Sequence, residues 1–383
     1  MGETGASAAG QTSRLAMGSG LGTAAVAGVD HVSADRELLA ALRERVIREV
    51  ARVVPRGPVA LLDFPNYENP GDSAIWLGAL ACLSAAGLGR PVYTSDHRTF
   101  DEQMLRHVMP AGTILLMGGG NLGDLWPGAQ RLRERVLRAF PDLTIVQLPQ
   151  TVHFDDPGAL SQARDVFATH PNFTILVRDA RSLEVATADL ACRATLCPDL
   201  AFCLTPSIEP ALRVPRATGV ETLRLLRGDH EAVGHSLPGR VVDWVSAPRR
   251  SSALNRFARR LSVLVATIPD SREPTATRRT MRALLSSCYP SMARERLTRG
   301  CQLLASSIVV VTDRLHGHVL SLLLGIPHVV LGDRNGKLRG FVDAWTSAAT
   351  LTRWAETADD VPRLTRELLD RSTGERSRPQ SVP

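Results

Sequence analysis

Short, uninterrupted apolar runs separated by helical segments constrain this chain more than any other feature. In its first half they are "VALLD" (59 to 63), "TILLM" (113 to 117), "LTIVQL" (143 to 148) and "FTILV" (173 to 177). A strand with one face in water alternates apolar and polar residues, and these runs do not. Each is followed by a turn and then by helical spacing, as over Gln130 to Phe140. That pattern predicts a parallel sheet covered by helices on both faces. A second series, "TLRLLRGD" (222 to 229), "RVVDWVS" (240 to 246), "IVVVTD" (308 to 313) and "PHVVLGD" (327 to 333), predicts a second α/β unit. The three prolines of "LTPSIEPALRVPRATG" (204 to 219) mark a linker between them.

The expected organisation is therefore a disordered Gly/Ala/Ser-rich leader over 1–33, a first domain over 34–205, a linker over 206–219 and a second domain over 220–353. A helical segment at 354–372 is expected to pack back on the first domain, with a disordered tail at 373–383. A chain of 383 residues with 44% hydrophobic content is long enough for two cores. Its longest apolar stretch, Val319 to Leu331, is broken by Gly325 and Pro327 and is too short for a membrane span. The leader lacks a basic start and a sustained apolar core, so a cytoplasmic location is expected. Six cysteines form no C-x-x-C pair and read as reduced thiols, and no metal site is visible. The net charge of +6 is uneven: twelve arginines lie between Arg249 and Arg299 against Asp270, Glu273 and Glu295. Without interleaved aromatic residues that stretch reads as a solvated face rather than a nucleic-acid surface.

In such sheets ligands lie beyond the carboxyl ends of the strands, so the loops there are the candidates. Asn69, Pro70, Gly71 and Asp72 have turn chemistry, with Ser73 a candidate N-cap. Gly118, Gly120 and Gly123 match G-x-G-x-x-G, but the next strand runs into "QLPQT" and supplies no ribose-binding acid, so a dinucleotide is not expected. The glycines would still let the backbone approach a ligand. Arg178 ends a strand and suits a carboxylate or phosphate, the alternative being a surface ion pair with Asp179. Asp313 could cap a helix whose first turn carries Arg314 and His316, where free amides and the helix dipole favour anions. His318 and His328 read as structural. Lys337, the one lysine among 45 basic residues, falls in the next strand-to-helix loop, where a compact ammonium would suit phosphate.

The pieces "NPGDSAI", "GGGNLGDLW", "QLPQTV", "VRD", "CPDLAF", "LLRGDHE" and "VTDRLHGHVLSLLLGIPHVVLGDRNGK", in this order, resemble the polysaccharide pyruvyl transferase family over roughly residues 59 to 346. The resemblance implies a GT-B-like fold of two Rossmann-like domains with parallel sheets and an active site in the interdomain cleft. It also implies transfer of a pyruvyl group from phosphoenolpyruvate to two sugar hydroxyls, forming a pyruvate ketal. Arg178 and Arg314 would bind the donor, with Leu315 and His316 beside it and His316 as the acid. Asn69 and Asp72 match a family element, Asp72 as a candidate base, and Lys337 matches the lysine of the last loop. Gly118, Gly119, Gly120 and Asn121 join the candidate substrate-binding residues.

That chemistry suits these residue types independently. A small phosphorylated enol needs cations and helix amides around it, an acid to protonate C3, and cations to stabilise departing phosphate. The expected partners are phosphoenolpyruvate and a sugar or glycan, with no other cofactor, no metal and no nucleic acid; a homo-oligomer is compatible. The alternatives are a GT-B glycosyltransferase using a nucleotide sugar, or a catalytically idle binding subunit of the same fold.

Overall fold

A computed structural model describes residues 23–216, 219–245, 252–268 and 274–376. The first sheet contains β1 (Val59–Leu62), β2 (Tyr93–Ser95), β3 (Thr113–Leu116), β4 (Gly119–Gly123), β5 (Thr144–His153), β6 (Phe173–Val177) and β7 (Arg193–Leu196). Its order is β2-β1-β3-β5-β6-β7, with β4 paired to β5, and every pairing is parallel. The second contains β8 (Val220–Leu225), β9 (Val241–Val242), β10 (Ser307–Thr312), β11 (His328–Leu331) and β12 (Thr352–Ala355), in the parallel order β12-β11-β10-β8-β9. The fold is thus α/β with two parallel sheets, as the apolar runs require.

The helices are α1 (Thr23–Val53), α2 (Pro70–Ala85), α3 (Glu102–Val108), α4 (Pro127–Ala139), α5 (Pro157–Thr169), α6 (Ala180–Glu184), α7 (Ala253–Thr267), α8 (Ala276–Ala305), α9 (Leu315–Leu323), α10 (Lys337–Phe341) and α11 (Val361–Arg376). They cover both sides of the first sheet. Leu61, Leu115, Val146 and Leu176 share a core with residues of α1, α2 and α8. Their neighbours Ala60, Leu62, Ile114, Leu116, Ile145 and Ile175 face α3, α4 and α5. This two-sided burial is why the strand sequences are continuous rather than alternating.

Several elements depart from the expectations. α1 begins at Thr23, inside the segment expected to be a leader, and the rest of that leader (1–22) lies outside the described residues. Asp35 of α1 accepts hydrogen bonds from the Thr350 amide at 2.7 Å and the Leu351 amide at 3.1 Å, tying α1 to the second domain. The arginine-rich stretch is no open basic face where it forms α8. Arg278 and Arg282 reach Asp101, Arg294 pairs with Glu209 at 2.8 Å, Arg296 donates to the Pro65 carbonyl at 2.7 Å, and Arg299 pairs with Glu68. Tyr289 of α8 stacks on Phe64 with ring centroids 4.0 Å apart, so α8 packs on the first domain although it lies between strands of the second. The last helix does not return to the first domain. Val361, Leu364 and Leu368 of α11 bury against Val309, Val311, Val329 and Leu331 of the second sheet, because these provide the apolar face its own stripe needs.

Candidate active site

The carboxyl ends of β1, β2, β6, β8, β10 and β11 open on one cavity of about 850 Å³ between the two sheets. Of the sequence-predicted site residues, Asn69, Asp72, Gly120, Asn121, Arg178, Arg314, Leu315, His316 and Lys337 line it, and Gly118 and Gly119 do not. Those two glycines serve packing. A Cβ on Gly118 would lie 2.7 Å from the Pro149 carbonyl oxygen, and Gly119, at φ 137°, begins β4 in a conformation that favours glycine. The expected glycine-rich turn is therefore a short strand. Asn121 faces the cavity, but its Oδ1 already accepts from Gln150 Nε2 at 2.7 Å and from Arg133.

The N-termini of α2 and α9 meet at the cavity. Asn69, not Ser73, caps α2: its Oδ1 accepts from the Gly71 amide at 3.0 Å, and Pro70 occupies the first helical position. Asn69 Nδ2 and the Tyr67 hydroxyl both donate to Asp72 Oδ2, at 2.7 and 2.8 Å, fixing that carboxylate in the first turn. α9 starts after Arg314, which is its N-cap residue and gives it no side-chain cap. Asp313 does not cap it either, because Asp313 Oδ1 accepts from the Arg227 amide at 2.9 Å. Gly71 and His316 face each other across the domain boundary so closely that a Cβ on Gly71 would lie 2.6 Å from His316 Cβ.

Each predicted cation has a carboxylate partner that sequence reasoning did not supply. Arg178 Nη1 donates to Asp199 Oδ2 at 2.6 Å and Nη2 to Thr151 Oγ1 at 3.0 Å, while Asp179 instead caps α6 through the Ser182 amide. His316 Nε2 stands 3.4 Å from the same Asp199 oxygen. Burial alone would raise the Asp199 pKa, but His316 and Arg178 outweigh it and hold the carboxyl well below the usual carboxylate range. Arg314 Nη2 donates to Asp243 Oδ2 at 2.6 Å, and its guanidinium lies over the Trp244 ring, 5.8 Å from the centroid. Lys337 Nζ donates to Glu231 Oε2 at 2.9 Å; Glu231 Oε1 accepts from Arg227 at 3.0 Å and from Trp126 Nε1 at 3.2 Å. Burial would raise the Glu231 pKa too, yet Lys337 and Arg227 hold it below its ordinary value.

Arg178 and Arg314 nevertheless each keep a buried Nε–H without a hydrogen-bond partner among the described residues, and His316 Nε2 likewise makes no hydrogen bond. Orphaned donors of this kind also occur away from the cavity, on Arg43, Arg224 and Arg299, so it is the place of Arg178 and Arg314 on the cavity wall that suits an anion. Arg227, Asp229 and Glu231 follow β8 in "RGDHE", so the strand-end rule could have found them. Asp63 directly follows β1 and was within reach of the same rule; it sits in the left-handed region at φ 70°, and burial raises its pKa above the ordinary value, partly offset by Arg133. On the outer side of the cavity Trp126 is 39% exposed, with its ring 4.7 Å from that of His230. His318 and His328 stay out of the cavity, fully buried and 2.7 Å apart between ring nitrogens.

Two parallel sheets aim their carboxyl ends, two helix N-termini and a set of buried cations at one cleft, an arrangement suited to binding an anion. Residues 69–335 match the family Polysaccharide pyruvyl transferase, and the chain belongs to that family. It is 30% identical to Pyruvyl transferase 1 of Schizosaccharomyces pombe over 82% of this chain and 75% of that protein. EpsO of Bacillus subtilis is 28% identical over 82% of this chain and 93% of its own length. Among solved structures, an uncharacterized protein of Klebsiella pneumoniae superposes with a TM-score of 0.51 at 14% identity, covering 82% of this chain and 98% of that one, a likeness of fold. Pyruvyl transfer is thereby the activity of the class.

Proposed function

We propose that this enzyme moves the pyruvyl group of phosphoenolpyruvate onto two hydroxyls of a sugar, forming a cyclic ketal and releasing phosphate. The observation that carries the reading is the convergence of Arg178, Arg314 and His316 on one cavity, beside the N-termini of α2 and α9. Arg178 and Arg314 take the donor's carboxylate and phosphate, which suit guanidinium forks. His316 gives a proton to C3 as the first sugar oxygen bonds to C2, and Asp72 removes that hydroxyl's proton. The C2–O bond to phosphate then breaks, with Arg314 and Lys337 stabilising the leaving group, and the second hydroxyl closes the ketal. The two hydroxyl protons balance the one gained at C3 and the one carried off by phosphate.

Asp199 gives the acid its support. Its carboxylate stands 3.4 Å from His316 Nε2 and helps to fix the imidazole in place. Trp126 offers a half-exposed indole whose N–H is held by Glu231, a flat surface of fixed orientation on which a sugar ring can stack. The reading calls for no cofactor besides the donor and no metal. The test is phosphate release and ketal mass with phosphoenolpyruvate and a panel of glycosides, in the presence of a chelator. His316→Ala should bind the donor and lose turnover. Release only from nucleotide sugars, or full ketal formation by His316→Ala, would overturn the reading.

A further inference from the structure

Asp63 lines the cavity and, like Asp72, belongs to the first domain. Its left-handed backbone, at φ 70°, is uncommon for a residue with a side chain and persists where the surroundings over-determine it. A buried polar network beside it does so. Arg133 donates from Nε to Gln147 Oε1 at 2.7 Å, from Nη1 to the Asn121 carbonyl at 2.9 Å and from Nη2 to Asn121 Oδ1. Gln150 Nε2 donates to that same Oδ1 at 2.7 Å. With two donors on its oxygen, Asn121 turns its Nδ2 to the Asp63 carboxyl. Asp63 is thus held by an amide whose own orientation is fixed, while part of its surface stays open on the cavity wall. A carboxylate present only to neutralise Arg133 would take the guanidinium's donors directly, and here those go to Gln147 and Asn121.

We propose that Asp63 is a second catalytic base, taking the proton of the sugar hydroxyl that closes the ketal. The inference rests on the pyruvyl-transfer reading and deepens it. Two hydroxyls lose protons in that reaction, and Asp72, once protonated by the first, is no longer a base for the second. Tyr67 links the two carboxylates: its hydroxyl donates to Asp72 Oδ2 at 2.8 Å, and burial, then the charges of Asp72 and Asp63, raise its pKa and keep it a donor. Both acids therefore face the acceptor from the first domain, with Arg314, His316 and Lys337 reaching in from the second. Burial raises the Asp63 pKa against the lowering effect of Arg133 and His97, which makes its carboxylate the stronger base. Departure of phosphate leaves C2 electron-poor and bonded to the first sugar oxygen. The second oxygen bonds to C2 as its O–H bond breaks, and the proton passes to Asp63. Of the protons then on Asp72 and Asp63, one returns to His316 and the other leaves with phosphate.

The experiment measures phosphate, ketal and pyruvate together for the parent, Asp63→Asn and Asp63→Gly, with phosphoenolpyruvate and the panel of glycosides. Asparagine and glycine both accept a left-handed backbone, so each variant removes the base and keeps the turn. The parent should form ketal and phosphate in equal amounts. In both variants the ketal formed per phosphate should fall by roughly tenfold or more, because a positioned base contributes about 10²-fold or more to a proton transfer. Water then adds to C2 in place of the second hydroxyl, and the adduct breaks its bond to the sugar oxygen to give pyruvate and the free glycoside. A role in folding or in affinity alone would lower phosphate and ketal together and leave their ratio unchanged. That outcome, or ketal formation at the parent's rate by both variants, would overturn the assignment and leave the pyruvyl-transfer reading standing. A parent that releases no phosphate from phosphoenolpyruvate with any glycoside would sink that reading, and the role of Asp63 with it.

Discussion

Replacing Gly71 by alanine tests the geometry of the cleft at its tightest point. The added methyl would sit 2.6 Å from His316 Cβ, 2.7 Å from Cγ and 2.8 Å from Nδ1, whereas ordinary contact begins at 3.4 Å. His316 must therefore retreat by roughly 1 Å, a misplacement that costs on the order of 100-fold in rate when the displaced group is the acid. That is about 2.7 kcal/mol of transition-state stabilisation. Stability should fall too, because His316 Cβ is fixed to the α9 backbone and α2 and α9 must part to make room; alanine's advantage over glycine in a helix, up to ~1 kcal/mol, offsets only part of that. The measurements are kcat for phosphate release and the melting temperature of the same sample. Gly158→Ala is the control: it too follows a proline at a helix start, but meets only its own capping Asp156 side chain, at 3.3 Å. A folded Gly71→Ala enzyme with the parent's kcat would refute the view that this contact seats His316.

Acid should destabilise the second domain through His328, which burial holds neutral with a pKa of about 4 against an ordinary 6.5. The unfolded chain binds this proton first, so the stabilisation is complete above pH 6.5 and is lost as pH falls toward 4, about 3 kcal/mol in all. Denaturant unfolding at pH 7 and pH 4 should show a smaller loss in His328→Gln than in the parent, the remainder coming from His318, which burial also holds neutral. Trp126→Ala should raise the KM for the glycoside about tenfold, the order of one lost stacking contact, and leave the KM for phosphoenolpyruvate unchanged; initial rates with each substrate varied decide it. Lys337→Ala should raise the KM for phosphoenolpyruvate by about tenfold, on the order of one charge-assisted hydrogen bond, and equal donor affinity in a binding titration would remove Lys337 from the site.

Much of the architecture was readable because the central strands bury both faces, which forbids polar alternation and leaves runs such as "TILLM". The edge elements escaped for the converse reason. Tyr93–Ser95 has only three residues, and Arg193–Leu196 and Thr352–Ala355 are short and only partly buried, so none carries a continuous apolar run. Gly119–Gly123 read as a turn, yet it pairs with β5, and a Cβ on Gly123 would fall 1.6 Å from the His153 carbonyl oxygen. The arginines of α8 read as solvated because Asp101, Glu68 and Glu209, which bind them, are remote in sequence. At the site the same asymmetry holds. Arg178, Arg314, His316 and Lys337 were found from their place after strands, whereas Asp199, Asp243 and Glu231 became partners only through tertiary contact.

Those carboxylates change what the cations can do. A cleft lined by free arginines and a lysine would bind any phosphate tightly, substrate and product alike, and tight ground-state binding adds nothing to turnover. Here Arg178 and Arg314 are already oriented by Asp199 and Asp243 at 2.6 Å, and Lys337 by Glu231 at 2.9 Å. An incoming donor must share them, so its ground-state gain is reduced. In the proposed reaction the guanidinium planes and the ammonium would need no reorganisation as charge gathers on the departing phosphate, and fixed dipoles of that kind favour the transition state. Product release benefits as well, because each cation returns to a carboxylate rather than to an empty pocket. The near balance of cations and carboxylates around the cavity therefore suits a catalyst of phosphate departure better than a store for phosphate.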